Sequence, residues 1–172
     1  VFSGNLFNSE LFTATLWAFV AFSLAASGIY IFNDILDREK DRLHPIKRRR
    51  PIAKGALALP YALFSSIVLV TASLFLASYI SFFFLAAVAF YLLLQIAYTL
   101  FLKNVPIVDI LAIAAGFIVR VWAGAFVIDV HLSVWFLLCV VSTSLFLAAG
   151  KRKAELAILS QFGKVKRFAY QP

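Results

Sequence analysis

Three aspartates stand at i, i+3 and i+7 in Asn33-Asp34-Ile35-Leu36-Asp37-Arg38-Glu39-Lys40-Asp41. On a helix turning about 100° per residue, Asp34, Asp37 and Asp41 share one face within about two turns. Carboxylates crowded in this way repel one another, so something must hold them. A divalent cation that also grips a phosphate is the economical answer, and Mg²⁺ takes oxygen ligands of this kind. Asn33 can add an amide oxygen. The segment that follows, Arg42-Leu43-His44-Pro45-Ile46-Lys47-Arg48-Arg49-Arg50-Pro51, is dense with cations. Arg grips phosphate bidentately, and Lys does so as a point charge. Acids and bases side by side suit a metal–diphosphate site, with metal on Asp34, Asp37 and Asp41 and phosphate on Lys47, Arg48 and Arg50. The same basic run reads equally as a topology signal that touches anionic lipid. His44 precedes Pro45 in a loop and is read as structural.

The elements that must position these residues are membrane spans. Of 172 residues, 63% are hydrophobic and 14% charged, and the mean hydropathy is +0.95. A soluble domain averages roughly 25% charged residues, so this chain is an all-α polytopic transmembrane bundle. A span needs about 20 mostly apolar residues. Five segments qualify: Leu11–Phe32, Leu57–Leu76, Ser81–Phe101, Ile107–Ile128 and Leu132–Ala149. The second and third leave only Ser78–Ile80 for a turn, so they form a tight hairpin. Barrel strands alternate in polarity, and these segments do not. The lone Cys139 excludes a disulfide framework within the chain.

The net charge of +8 does not point to nucleic acid, because of where it lies. Fifteen of the sixteen Lys and Arg residues fall on one side of the bundle if the spans alternate. That side holds the loop 33–56, Lys103 and the segment 150–172, and the positive-inside rule makes it cytoplasmic. The sixteenth is Arg120, inside the fourth span. Asp109 lies eleven residues earlier, which returns to nearly the same helix face about 16 Å away. An ionisable pair within a span usually faces a wet interior or cavity. Gly116 and Gly124 nearby would permit close helix contact or a channel. Separate packing roles for Asp109 and Arg120 remain the alternative.

These residues carry a resemblance. Asn33-Asp34-xx-Asp37-xxx-Asp41 resembles the first aspartate-rich motif of the UbiA superfamily of membrane prenyltransferases. Four further blocks resemble a branch of it that transfers phosphoribosyl groups. They are Arg42-x-His44-Pro45-x-Lys47-Arg48-x-Arg50-Pro51-Ile52-Ala53-x-Gly55, Tyr98-Thr99 with Lys103 and Asp109, Gly116-Phe117-xx-Arg120-xx-Ala123-Gly124, and Gly150-Lys151-Arg152-x-Ala154-Glu155-Leu156. The resemblance runs from about Phe2 to Leu156. It implies a donor, phosphoribosyl pyrophosphate, and an acceptor, the phosphate of a polyprenyl (decaprenyl) lipid in the bilayer. Pyrophosphate would leave, Mg²⁺ would neutralise it, and the product would feed cell-wall arabinan synthesis in a prokaryotic plasma membrane. Asp37, Asp109 and Lys103 would be catalytic. Asn33, Tyr98, Lys47, Arg48, Arg50, Arg120, Lys151 and Arg152 would bind substrate.

Aromatic prenyltransferases of the superfamily carry a second Asp-xxx-Asp motif. Here the corresponding region offers Asp109 with Ile113 four residues on, which weakens that alternative. The superfamily bundle has nine helices, and the first span matches its second by register. The chain is therefore expected to be a partial sequence, lacking the first helix and about three at the end. The remaining alternatives are a prenyltransferase using an isoprenyl diphosphate and an aromatic acceptor, and a non-enzymatic transporter or scaffold. The latter lacks the broken half-helices of transporters.

Overall fold

The structure, a computed structural model, describes residues 8–105 and 107–161, with side chains to residue 158. In chain order its helices are α1 (Ser9–Leu36), the short α2 (Arg38–Leu43) and α3 (Pro51–Lys54), α4 (Leu59–Ile80), α5 (Phe82–Leu100), α6 (Val108–Val127) and α7 (Val134–Gln161). Single 3₁₀ turns sit at Lys47–Arg49 and Leu102–Asn104. Helices α1, α4, α5, α6 and α7 are long and apolar enough to cross a membrane, as the hydropathy requires. Lys164, Lys166 and Arg167 of the expected basic segment lie outside the described residues.

Boundaries differ from expectation for identifiable reasons. Asn8 caps α1 by accepting the N–H groups of Glu10 and Leu11 at 3.1 and 3.3 Å, so the helix starts before Leu11. The α4–α5 turn is Ser81 alone, not Ser78–Ile80. Its backbone is extended, and its Oγ accepts the Phe84 N–H at 3.1 Å, capping α5. The expected loop 33–56 is largely helical. Pro51 opens α3 at a position where its missing N–H costs nothing, and Gly55 closes it at φ 84°. Helix α7 runs past Ala149 to Gln161, because the residues from Lys151 to Leu156 favour helix.

Helix α1 lies along α4, and α6 packs between α5 and α7. The α1–α4 seam is made of small residues. Ala21, Ala25 and Gly28 face Ser66, Ser73 and Ala77, all buried. Ser66 Oγ donates to the Gly28 carbonyl and Ser73 Oγ to the Ala21 carbonyl, both at 2.8 Å. In hydrocarbon, close backbone approach and interhelical hydrogen bonds do what burial from water does elsewhere. A Cβ on Gly28 would stand 2.8 Å from Val70 Cγ2 and 3.1 Å from the Ser66 oxygen. The close approach is therefore at Gly28. Gly116 and Gly124, expected to permit close contact or a channel, have ordinary room or open space, and Gly124 lines a cavity. Phe22 adds edge-on contacts to Phe84 and Tyr91, at centroid distances of 5.6 and 5.4 Å.

Helices α1 and α7 have 28 residues each, about 42 Å at the usual rise. A bilayer core is about 30 Å thick. Both helices therefore overhang, and their overhanging ends carry Asn33–Leu36 and Gly150–Gln161.

Candidate active site

The aspartate motif straddles the joint between α1 and α2. Asp37 occupies the joint at φ −87°, ψ 2°, and its carbonyl accepts the Asp41 N–H at 2.8 Å. Arg50 Nη1 donates to Asp34 Oδ1 at 2.6 Å and to Asp41 Oδ2 at 2.9 Å. Lys103 Nζ donates to Asp37 Oδ1 at 2.6 Å. Among the described residues, no three His, Cys, Asp or Glu groups stand close enough to hold an ion. The three aspartates, expected to share one, stand in this arrangement on Arg50 and Lys103. Like charges repel, and each carboxylate has taken a nearby cation instead. The donor chemistry nonetheless suits a hard divalent cation. Asp34 and Asp41 present oxygens to the same cationic nitrogen, and Asn33 Oδ1 is buried without a partner. Burial pushes the Asp41 carboxyl above its ordinary pKa, outweighing the lowering effect of Arg50.

A second cluster forms around Asp109 at the start of α6, where the helix dipole favours a carboxylate. Asp109 is 3% exposed. Tyr98 Oη donates to its Oδ1 at 2.9 Å, and Arg152 Nε bonds its Oδ2. Arg152 Nη1 also reaches Glu155 Oε2 at 2.8 Å, and Lys47 Nζ bonds Glu155 Oε1. The overhang of α7 thus joins the basic loop after α2 to the start of α6. Asp37–Lys103 and Arg50 lie at this same end of the bundle, because these pairs tie α1, the α5–α6 connection and α7 together.

Arg120 is elsewhere. It stands about 16 Å further along α6 than Asp109 by helical rise, so the stripe is as expected but a direct pair is not formed. Its Nη2 donates to Tyr91 Oη at 2.5 Å, which also accepts Gln95 Nε2 at 3.0 Å. The guanidinium lies 4.8 Å from the Tyr91 ring centre and 5.4 Å from that of Phe117. No carboxylate among the described residues pairs with it. It lines a cavity of 390 Å³ with Phe19, Phe22, Phe84 and Gly124. A cavity beside Arg120 was expected; a phosphate grip there together with Lys103 and Tyr98 is not what the geometry brings together.

Of the other expected residues, Arg48 and Lys151 are exposed, outside both clusters. His44 is structural, as read: its Nδ1 accepts the N–H groups of Ile46 and Lys47, both at 3.2 Å. Burial, then the charge of Lys47, lowers its pKa. Glu155, Tyr91 and Gln95 were given no role from sequence. Glu155 had a signal, since three residues after Arg152 it must share a helix face. Tyr91 and Gln95 had only their i, i+4 spacing.

The UbiA prenyltransferase family model matches residues 2–151. The chain is 43% identical over 146 residues to a decaprenyl-phosphate phosphoribosyltransferase of Mycolicibacterium smegmatis, covering 85% of this chain and 46% of that protein. It is 38% identical over 164 residues to one of Corynebacterium glutamicum, covering 92% and 48%. It is 32% identical over 155 residues to the nodulation protein NoeC of Azorhizobium caulinodans, covering 90% and 50%. The chain spans about half the length of these curated relatives. With the spans, the aspartate motif and the clustered cations in agreement, the chain belongs to the UbiA prenyltransferase family.

Proposed function

We propose that the chain is part of a phosphoribosyltransferase of the cell membrane, with its charged end facing the cytoplasm. The donor is phosphoribosyl pyrophosphate, the acceptor a polyprenyl (decaprenyl) phosphate, and the lipid product a precursor for cell-wall arabinan. The observation that carries this reading is the gathering of Asp34, Asp37, Asp41 and Asp109 with Arg50, Lys103, Lys47 and Arg152 at one end of an apolar bundle. The names of the relatives agree with it.

The bond from the ribose anomeric carbon to pyrophosphate breaks, and a bond from that carbon to a lipid phosphate oxygen forms. The acceptor is already anionic at neutral pH, so no general base is needed and His44 has no proton to move. Mg²⁺, held by Asp34, Asp41 and Asn33, would supply charge neutralisation for the departing pyrophosphate. For that, Arg50 must leave the two carboxylates. Once released, Arg50 is a bidentate phosphate ligand within reach of the same site. Lys103 makes the parallel exchange at Asp37, giving up a carboxylate for a phosphate. Asp109, fixed by Tyr98 and Arg152, presents one rigid carboxylate to the ribose side. Phe19, Phe22 and Phe84 give the cavity an apolar wall suited to a prenyl segment.

The test uses the full-length protein in membranes with radiolabelled phosphoribosyl pyrophosphate, polyprenyl phosphate and Mg²⁺. Label should enter the lipid phase only with Mg²⁺ and fall by at least about a hundredfold in Asp34→Asn, which removes one of the carboxylates that would hold the ion stabilising the departing pyrophosphate. Turnover of an isoprenyl diphosphate with an aromatic acceptor, and none of phosphoribosyl pyrophosphate, would move the protein to the other branch.

A further inference from the structure

We infer that Glu155 is a positioning residue: it latches the basic loop after α2 to the α6–α7 end of the bundle, and so holds Lys47 and Arg152 where the anionic donor binds. This rests on the phosphoribosyl reading above for its substrate, but not for its geometry.

Glu155 is the carboxylate through which the two clusters meet. One oxygen bonds Lys47 and the other Arg152. From Lys47 the chain runs through one 3₁₀ turn to Arg50, which holds Asp34 and Asp41. From Arg152 the bonds run to Asp109 and on to Tyr98. The Glu155 side chain is 20% exposed and that of Arg152 27%, so the pairs are partly shielded from solvent, where a charge-assisted bond is stronger than at an open surface. The residues joined are 108 apart in sequence. Hydrogen bonds from this loop to other elements are few. Arg42 Nε reaches the Ala53 carbonyl at 3.0 Å within the loop region itself, and Arg50 reaches the aspartates. If Arg50 must leave Asp34 and Asp41 for the site to accept its ligands, Glu155 is what keeps the loop in place during the exchange.

The experiment compares wild type, Glu155→Gln, Glu155→Asp and Lys47→Gln in the full-length protein in nanodiscs. The first readout is trypsin cleavage at Arg48 and Arg49, which needs the loop to open locally. The second is KM for phosphoribosyl pyrophosphate against kcat. Glu155→Gln should be cleaved several-fold faster. Its KM should rise about tenfold, the worth of one charge-assisted bond, with kcat little changed. Glu155→Asp should recover part of both. Lys47→Gln should open the loop equally, and the double variant should add little, as expected for two ends of one contact. Wild-type cleavage rates in Glu155→Gln would overturn the latch. Faster cleavage with an unchanged KM, or a fall in kcat alone, would overturn the positioning role. The cleavage arm needs no turnover, so a wild-type protein inactive on phosphoribosyl pyrophosphate would sink the functional reading without deciding the latch.

Discussion

Arg50 is the residue on which the aspartate motif depends most. One guanidinium nitrogen serves two carboxylates, and Asp41 is nearly out of solvent. Arg50→Gln leaves a buried carboxylate without a counter-charge. A loss of about 1–3 kcal/mol of stability is expected, read as a lower midpoint in thermal unfolding of the purified protein. Asp41→Asn in the same background should restore part of it. His44 makes a pH prediction. Its Nδ1 accepts two backbone N–H groups, which only the unprotonated nitrogen can do. Its pKa is lowered in the folded chain, so its contribution is complete above the ordinary value of about 6.5 and is lost as pH falls below it. Hydrogen-exchange protection of the Ile46 and Lys47 amides should drop in that window. His44→Asn, whose side-chain oxygen can accept the same bonds, should abolish the pH dependence. The sequence contained the acids and bases of this site and their helical spacing. It did not contain the pairing, because Asp37 meets Lys103 across 66 residues, and spacing along one helix says nothing about what arrives from another.

Helix α1 positions the aspartates, and its seam with α4 positions α1. Gly28→Val drives a side chain into Val70 and the Ser66 carbonyl, and overpacking of this sort costs about 1–3 kcal/mol. Because Asn33 and Asp34 follow on the same helix, the proposed phosphoribosyl transfer should fall as well. Gly124→Ala meets nothing within 4 Å and removes a helix-interior glycine, so the unfolding midpoint should hold or rise slightly, which makes it the control for a glycine replaced where there is room. The five spans were legible from length and hydropathy, since lipid leaves helices as the economical way across. Their ends were not. Hydropathy fades where α1 and α7 leave the membrane, yet both helices continue, and it is the continuation that carries Asp34 and Glu155. Ser81 illustrates the same point: a single capped residue turns the chain where three were allowed for. The small-residue seam of Ala21, Ala25 and Gly28 has the right spacing on α1 and was legible in principle.

At the scale of the molecule, charge asymmetry and ion pairing agree on one polar end and one bare end. With Cys139 replaced by Ser, a cysteine at Lys54 should react with a membrane-impermeant maleimide only after the cytoplasmic side is opened, and one at His131 from outside in intact cells. The reverse pattern would invert the proposed orientation. Arg120, half-buried beside Tyr91 without a carboxylate partner among the described residues, lines a cavity as expected. Its distance from the charged end follows from helical rise alone. The bare end has its own consequence. Between α4 and α5 it offers Ser81, and between α6 and α7 only the few residues from Ile128 to Ser133. On the proposed orientation, these two described connections give the cell's surroundings almost nothing to hold. An antibody, a phage or a secreted protease would find no epitope of useful size in these two turns, and an inhibitor aimed at the charged end would have to arrive through the lipid or from inside the cell.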